Sequence, residues 1–143
     1  MMRRRRALLR ALALAALPAM PVAYAQDPRA SLAVATARDW LALADRNEVK
    51  GSHAAAGARF RQALSERAWS AALDKERKPQ GALLRRTVYQ TWLQRSLPGA
   101  KIEGDFAVIL FRSAFANQQD AIETLTLERE SDDVWRVVGY FVR

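Results

Sequence analysis

The chain is predicted to fold as an α+β domain, with three N-terminal helices packed on one face of a curved four-stranded antiparallel sheet. Three observations carry this. Residues Ala121–Arg129 and Val134–Val142 alternate apolar and polar positions on either side of the polar turn Glu130-Ser131-Asp132-Asp133, which is the pattern of two paired strands. Upstream of Leu84, apolar residues recur at helical spacing; from Leu84 the period switches to two as Thr87, Val88, Tyr89, Thr91 and Trp92 accumulate. The chain has no internal repeat and no long linker, so residues 26–143 are expected to form a single domain.

The first 25 residues read as a secretory signal peptide. Arg3 to Arg6 and Arg10 precede an Ala/Leu run from Ala11 to Leu17, then Pro18, Pro21 and the small-residue pattern Ala23-Tyr24-Ala25, with cleavage expected after Ala25. The uncharged stretch is short of the roughly 20 apolar residues that span a bilayer and carries two prolines, so it does not predict a stable membrane anchor. Arg5-Arg6 with Leu8 and Leu9 loosely fits a twin-arginine signal, but general secretion explains so Arg- and Leu-rich a leader better. The expected location is periplasmic or secreted.

Removing the leader changes the charge argument. Five of the 23 basic residues lie in it and none of the 15 acidic ones, so the formal +8 falls to 18 basic against 15 acidic residues, or +3. Most of the excess that suggests nucleic acid is a targeting device, and no nucleic-acid partner is expected. The absence of cysteine excludes disulfides, thiol catalysis, thiolate metal sites and a lipid-bearing cysteine. With about 118 residues left, stability must come from packing.

Each element has its own signal. Asp27-Pro28 is an N-cap followed by proline at the first helical position, and Leu32, Thr36, Trp40 and Leu43 form a stripe to about Asp45. After Asn47 and Gly51, Ser52 is a candidate cap for a second helix with Ala56, Phe60 and Ala63 inward. Ser65 caps a third, with Trp69 and Leu73 four apart, and the charged run Asp74–Lys78 before Pro79 reads as a solvated helix end. Two strands follow, Leu84–Leu93 and Asp105–Ala116. The second is apolar on both faces, which makes it central and predicts cover for its second face by a curled sheet edge, a loop or the other subunit of a homodimer. Asn117-Gln118-Gln119-Asp120 is the expected turn into the C-terminal hairpin.

Helices first and a meander after them resemble, at the level of fold, the nuclear transport factor 2-like (NTF2-like) or cystatin-like rolls. A closer resemblance rests on Asp39-Trp40-Leu41 with Asp45, Trp69, Lys78-Pro79-Gln80-Gly81, Leu97-Pro98-Gly99, Phe111 to Phe115, Glu123-Thr124-Leu125-Thr126-Leu127 and Trp135 to Phe141. In that order they resemble the exported bacterial family of domain of unknown function 4019 (DUF4019). Two departures are His53, where the family tends to carry tryptophan, and Gln80, where leucine is usual. The resemblance implies export and a fold; it supplies no catalytic residues.

The chemistry-bearing residues are few. With four-residue turns in both hairpins, Glu123 pairs with Ala114 and Tyr140 and has Arg112 one diagonal step away, a cluster that either satisfies its own hydrogen bonds and fixes register or serves as an acid/base site. The structural role is the better supported. His53 is the sole histidine, without a partner acid or nucleophile in reach, and reads as a surface or capping residue. Glu128, Glu130, Asp132 and Asp133 lack the glycine-centred spacing of a calcium loop and read as a solvated turn. Trp40 and Trp69 belong to helix stripes and to the core; Trp92 and Trp135 are expected on one strand face and are the better candidates for a groove or subunit contact, although packing is favoured there too.

No cofactor or metal is therefore expected. The sequence favours a small non-catalytic binding or interaction module whose partner is a small molecule or an envelope protein. The alternative is an isomerase- or dehydratase-type enzyme with Glu123 and Tyr140 as the acid/base pair and Arg112 orienting an anionic substrate.

Overall fold

A computed structural model describes residues Asp27–Arg143; the leader and its cleavage site lie outside the described residues. The expected α+β architecture is observed: helices α1 (Pro28–Asp45), α2 (Val49–Ala55), α3 (Ala58–Ala63) and α4 (Glu66–Ala72), then strands β1 (Leu83–Ser96), β2 (Glu103–Phe115), β3 (Gln118–Arg129) and β4 (Trp135–Val142). The strands form one antiparallel sheet in the order β1-β2-β3-β4, so β2 is central as predicted.

Helix α1 begins as the sequence requires, with Asp27 Oδ1 accepting from the Arg29 amide at 2.9 Å. Its buried face differs from the predicted stripe. Ala30, Ala33, Ala37, Trp40, Leu41 and Ala44 point inward, and Leu32 is 61% exposed. Alanines let the helix axis approach the sheet closely, where it touches all four strands; bulkier Leu32 and Leu43 sit to the sides of that seam.

The second predicted helix is two helices, α2 and α3. Gly57 breaks them: its amide donates to the Val137 carbonyl at 2.7 Å, and a Cβ there would lie 2.9 Å from Val138 Cγ1. The chain therefore pays for one backbone contact with β4 by giving up helical continuity. Ala56 and Phe60 are buried as expected, whereas Ala63 is exposed. Ser52 lies inside α2 and is no cap. Its hydroxyl donates to the Glu48 carbonyl at 2.6 Å and accepts from Trp69 Nε1 at 2.8 Å, and its carbonyl accepts from Trp40 Nε1 at 2.8 Å. One serine thus joins α1, α2 and α4 and satisfies the indole N–H groups of Trp40 and Trp69 in the core.

Ser65 caps α4 as predicted, its hydroxyl accepting from the Ala68 amide at 3.1 Å. Beyond Ala72 the helix widens to π geometry over Leu73–Arg77 and closes with a tight turn at Lys78–Gln80. The widened turn carries Arg77 inward, so the predicted solvated run holds one buried cation.

Two register differences govern the site. The β2–β3 hairpin closes on Ala116-Asn117, because Phe115 pairs with Gln118, and the expected turn residues Gln118 to Asp120 belong to β3. This slides β3 by three residues near Glu123 and so exchanges the faces of β2 relative to it. The Glu130–Asp133 turn is observed, with Asp133 at φ 63°, but Arg129 pairs with Trp135 and the register shifts again between Thr126 and Leu127. Those two one-residue shifts compensate, and the face of Tyr140 is restored.

The helix-side core gathers Ala107, Ile109, Phe111, Leu125, Leu127, Trp135 and Val137 beneath Trp40, Leu41, Phe60 and Trp69. On the other face, in the single chain, Val108, Leu110 and Ile122 are half-buried, and Trp92 and Phe141 are exposed.

Candidate functional site

Under α1 lies a network of charged and polar side chains built from six regions of the chain: the end of α1, the π turn and all four strands. Glu123 projects from β3 into the helix side and is 0% exposed. Its Oε1 accepts from Arg86 Nε at 2.7 Å and from the Ser113 hydroxyl at 2.5 Å; its Oε2 accepts from the Tyr140 hydroxyl at 2.6 Å. Arg86, from β1, uses its two terminal nitrogens on Asp45 at the end of α1, at 2.8 and 2.9 Å. Arg77 reaches the same carboxylate from Nε and Nη2 at 3.2 and 3.1 Å, donates through Nη1 to the Gly81 carbonyl at 2.7 Å, and stacks 4.2 Å above the Phe115 ring.

Two arginines face two carboxylates, so the network is formally neutral. A buried charge without a partner is expensive, and here every carboxylate oxygen has a charge-assisted or hydroxyl donor. Burial opposes the charge on Arg86, but its bonds to Asp45 and Glu123 outweigh that and hold its pKa above the ordinary value. Burial, then the adjacent Glu123 carboxylate and the bond to it, push the Tyr140 phenol well above its ordinary range. Tyr140 is thereby a fixed donor at neutral pH.

The structure brings Glu123 and Tyr140 together on one face, although the strand partners of Glu123 are Phe111 and Val142, with Tyr140 one diagonal step away. Arg112 is not part of the cluster. It pairs with Ile122 and Thr87 on the opposite face, 4.3 Å over the Tyr89 ring. The three-residue slide of β3 is the reason, and Arg86 occupies the place expected for Arg112. Asp45, Arg77, Arg86 and Ser113 were missed as site residues; the signal lay in the stripe Trp69, Leu73, Arg77, whose four-residue spacing continues into the charged run.

Trp92 and Trp135 do not share a face. Trp135 is 5% exposed within the helix-side core, and Trp92, paired with Val108, is 40% exposed on the open face. The shift of register in the C-terminal hairpin carries Trp135 inward. His53 sits at the end of α2 with Nε2 2.7 Å from the Leu64 carbonyl, so it donates there and ties α2 to the end of α3.

The acidic turn is engaged by arginines. Glu128 pairs with Arg59 at 2.8 Å, Asp133 with Arg129 at 3.1 Å, and Arg136 bridges Glu130 and Asp132, each at 2.7 Å. Glu130 Oε2 also accepts from the Ala58 amide at 3.0 Å, which clamps the start of α3 to the hairpin. The Arg136 bond is the main cause that lowers the Asp132 pKa. Among the described residues no group of three or more His, Cys, Asp or Glu side chains is arranged to hold a metal ion, and no helix is long and apolar enough to cross a membrane.

Two concavities bear on function. One, of about 200 Å³, opens beside Asp45, Leu73 and Arg77 at the rim of the network. The larger, about 460 Å³, lies on the open face at the β2–β3 hairpin, between Arg85, Thr87, Arg112, Gln119, Asp120 and Ile122.

No curated protein and no solved structure matches the chain. The pattern of the family described as "Protein of unknown function (DUF4019)" matches residues 36–140, a span that holds Asp45, Arg77, Arg86, Ser113, Glu123 and Tyr140 alike. The chain belongs to the DUF4019 family.

Proposed function

We propose that the protein is exported, loses its leader after Ala25, and acts in the cell envelope as a non-catalytic binding module through the open face of its sheet. The observation that carries this reading is the open face itself. Trp92 and Phe141 are exposed beside half-buried Val108, Leu110 and Ile122, on a sheet whose other face is packed beneath the helices. Exposed aromatics beside half-buried aliphatics, here separated on β3 by Thr124 and Thr126, are a common mark of a binding surface.

The polar network supports the same division of labour. Glu123 has no exposed surface and each oxygen is already bonded, as in a network that fixes register and joins helices to sheet. We read the architecture as the NTF2-like or cystatin-like roll, with helices on one side and the binding face on the other.

The test is a fluorescence and thermal-shift screen of the mature chain against apolar and amphiphilic small molecules, repeated with Trp92→Ala. Binding that Trp92→Ala weakens supports the reading. Ligands that bind equally well without Trp92, or a turnover that Glu123→Gln abolishes at unchanged melting temperature, overturn it in favour of a helix-side site. Export is checked by fractionation and by mass spectrometry of the mature N-terminus, expected at Gln26.

A further inference from the structure

The concavity on the open face has a chemistry of its own. Arg85 pairs with Ala114 and Thr87 with Arg112, so the two guanidinium side chains stand diagonally across adjacent strands on one face. Both are exposed, and neither makes an ion pair among the described residues. Asp120 lies at the same rim without pairing with either. Like charges on neighbouring strands repel, and a bound oxyanion between them removes that repulsion.

Arg112 is also held in place. A register shift between Val88 and Gln90 leaves Tyr89 without a strand partner, and its ring lies 4.3 Å from the Arg112 guanidinium carbon. Stacking on a phenol ring restricts the guanidinium without neutralising it, so its donors stay free for a ligand. Thr87 and Gln119 add neutral hydrogen-bonding groups at the same mouth. The volume, about 460 Å³, is that of a small-ligand site.

The apolar part continues from there. Ile122 lines the concavity, and along β2 the same face runs from Arg112 through Leu110 to Val108, which pairs with Trp92. Four residues of strand cover about 13 Å. The geometry points to an anionic amphiphile as the occupant: Arg85 and Arg112 hold a carboxylate or phosphate head, and an alkyl tail lies over Ile122, Leu110 and Val108 toward Trp92. This inference rests on the open face being the binding surface and adds which ligand class that face takes.

The experiment titrates the mature chain, followed by Trp92 emission and amide chemical shifts, with four probes below their micelle concentrations. They are decyl phosphate, decanoate, uncharged decyl maltoside and inorganic phosphate. Decyl phosphate or decanoate is expected to shift Trp92 emission to shorter wavelength and to bind at least about tenfold tighter than decyl maltoside. Arg85→Gln/Arg112→Gln should remove that advantage and leave maltoside binding unchanged. Arg85→Lys/Arg112→Lys, which keeps the charge, should retain part of it. Whichever of the two anions binds tighter identifies the head group. Equal affinity for charged and uncharged decyl probes overturns the anion site while leaving the open-face reading intact. Inorganic phosphate binding as tightly as decyl phosphate overturns the tail. No binding by any probe, or a dimer in sedimentation that buries Trp92, overturns both.

Discussion

Arg86 bridges Glu123 and Asp45, giving its Nε to one carboxylate at 2.7 Å and both terminal nitrogens to the other at 2.8 and 2.9 Å. The end of α1 is thus tied through a strand-borne cation to the middle of β3. Removing one member leaves the others charged in a largely buried site without their partner.

Glu123→Gln should therefore destabilise the fold by about 2–4 kcal/mol, since Arg86 loses an ionised partner inside the domain. Urea unfolding followed by far-ultraviolet dichroism checks it. A midpoint within error of wild type would show that the network is dispensable for stability.

A double-mutant cycle on Asp45 and Arg86 should give a coupling above about 1.5 kcal/mol, reflecting the two-pronged, mostly buried geometry. The same cycle on exposed Arg46 and Glu48, 3.1 Å apart, should give less than about 0.5 kcal/mol. Comparable values for the two pairs would contradict the burial argument.

Alkaline pH should weaken the fold through Tyr140. Its folded pKa lies above the unfolded value of 10.0, so the native state keeps a proton that the unfolded chain releases. The contribution is complete below about pH 10 and is lost as pH rises above it. Tyr140→Phe should be less stable at pH 8, and the gap to wild type should narrow as the pH climbs past 10. Parallel stability curves for the two proteins would argue against the shift.

Gly57→Ala should cost about 1–3 kcal/mol by steric conflict alone, because Gly57 has φ −72°, which any residue adopts, while the new Cβ meets Val138 Cγ1 at 2.9 Å. Adding Val138→Ala should restore part of the loss. If the double variant is no better than the single one, the remaining contacts with Arg136 Cβ and the Val137 carbonyl, at 3.3 and 3.4 Å, dominate.

The parts of the fold legible in the sequence were those set by local chemistry. Asp27-Pro28, Ser65 and the Glu130–Asp133 turn each carry their own capping or turn residues and are observed where expected. Register was not legible, because Gln118, Gln119 and Asp120 are polar and exposed in the strand, where no apolar demand marks them. From this came the placement of Arg112 beside Glu123. The network was half legible: Glu123 and Tyr140 stand out against their leucine neighbours, but Asp45, Arg77 and Arg86 look like surface charge until tertiary packing brings them together.

Arg85 and Arg86 are successive residues of the same type, one facing the open concavity and the other the buried carboxylates. If β1 slipped by one position during folding, Arg85 would present the same guanidinium to Glu123 and Asp45, so electrostatics alone does not choose between the two alignments. The choice falls to fit: the native alignment seats Val88 and Leu93 against the helix-side core, whereas the other would turn them out and bring Trp92 inward in their place. Side-chain shape, more than charge, selects how this strand docks.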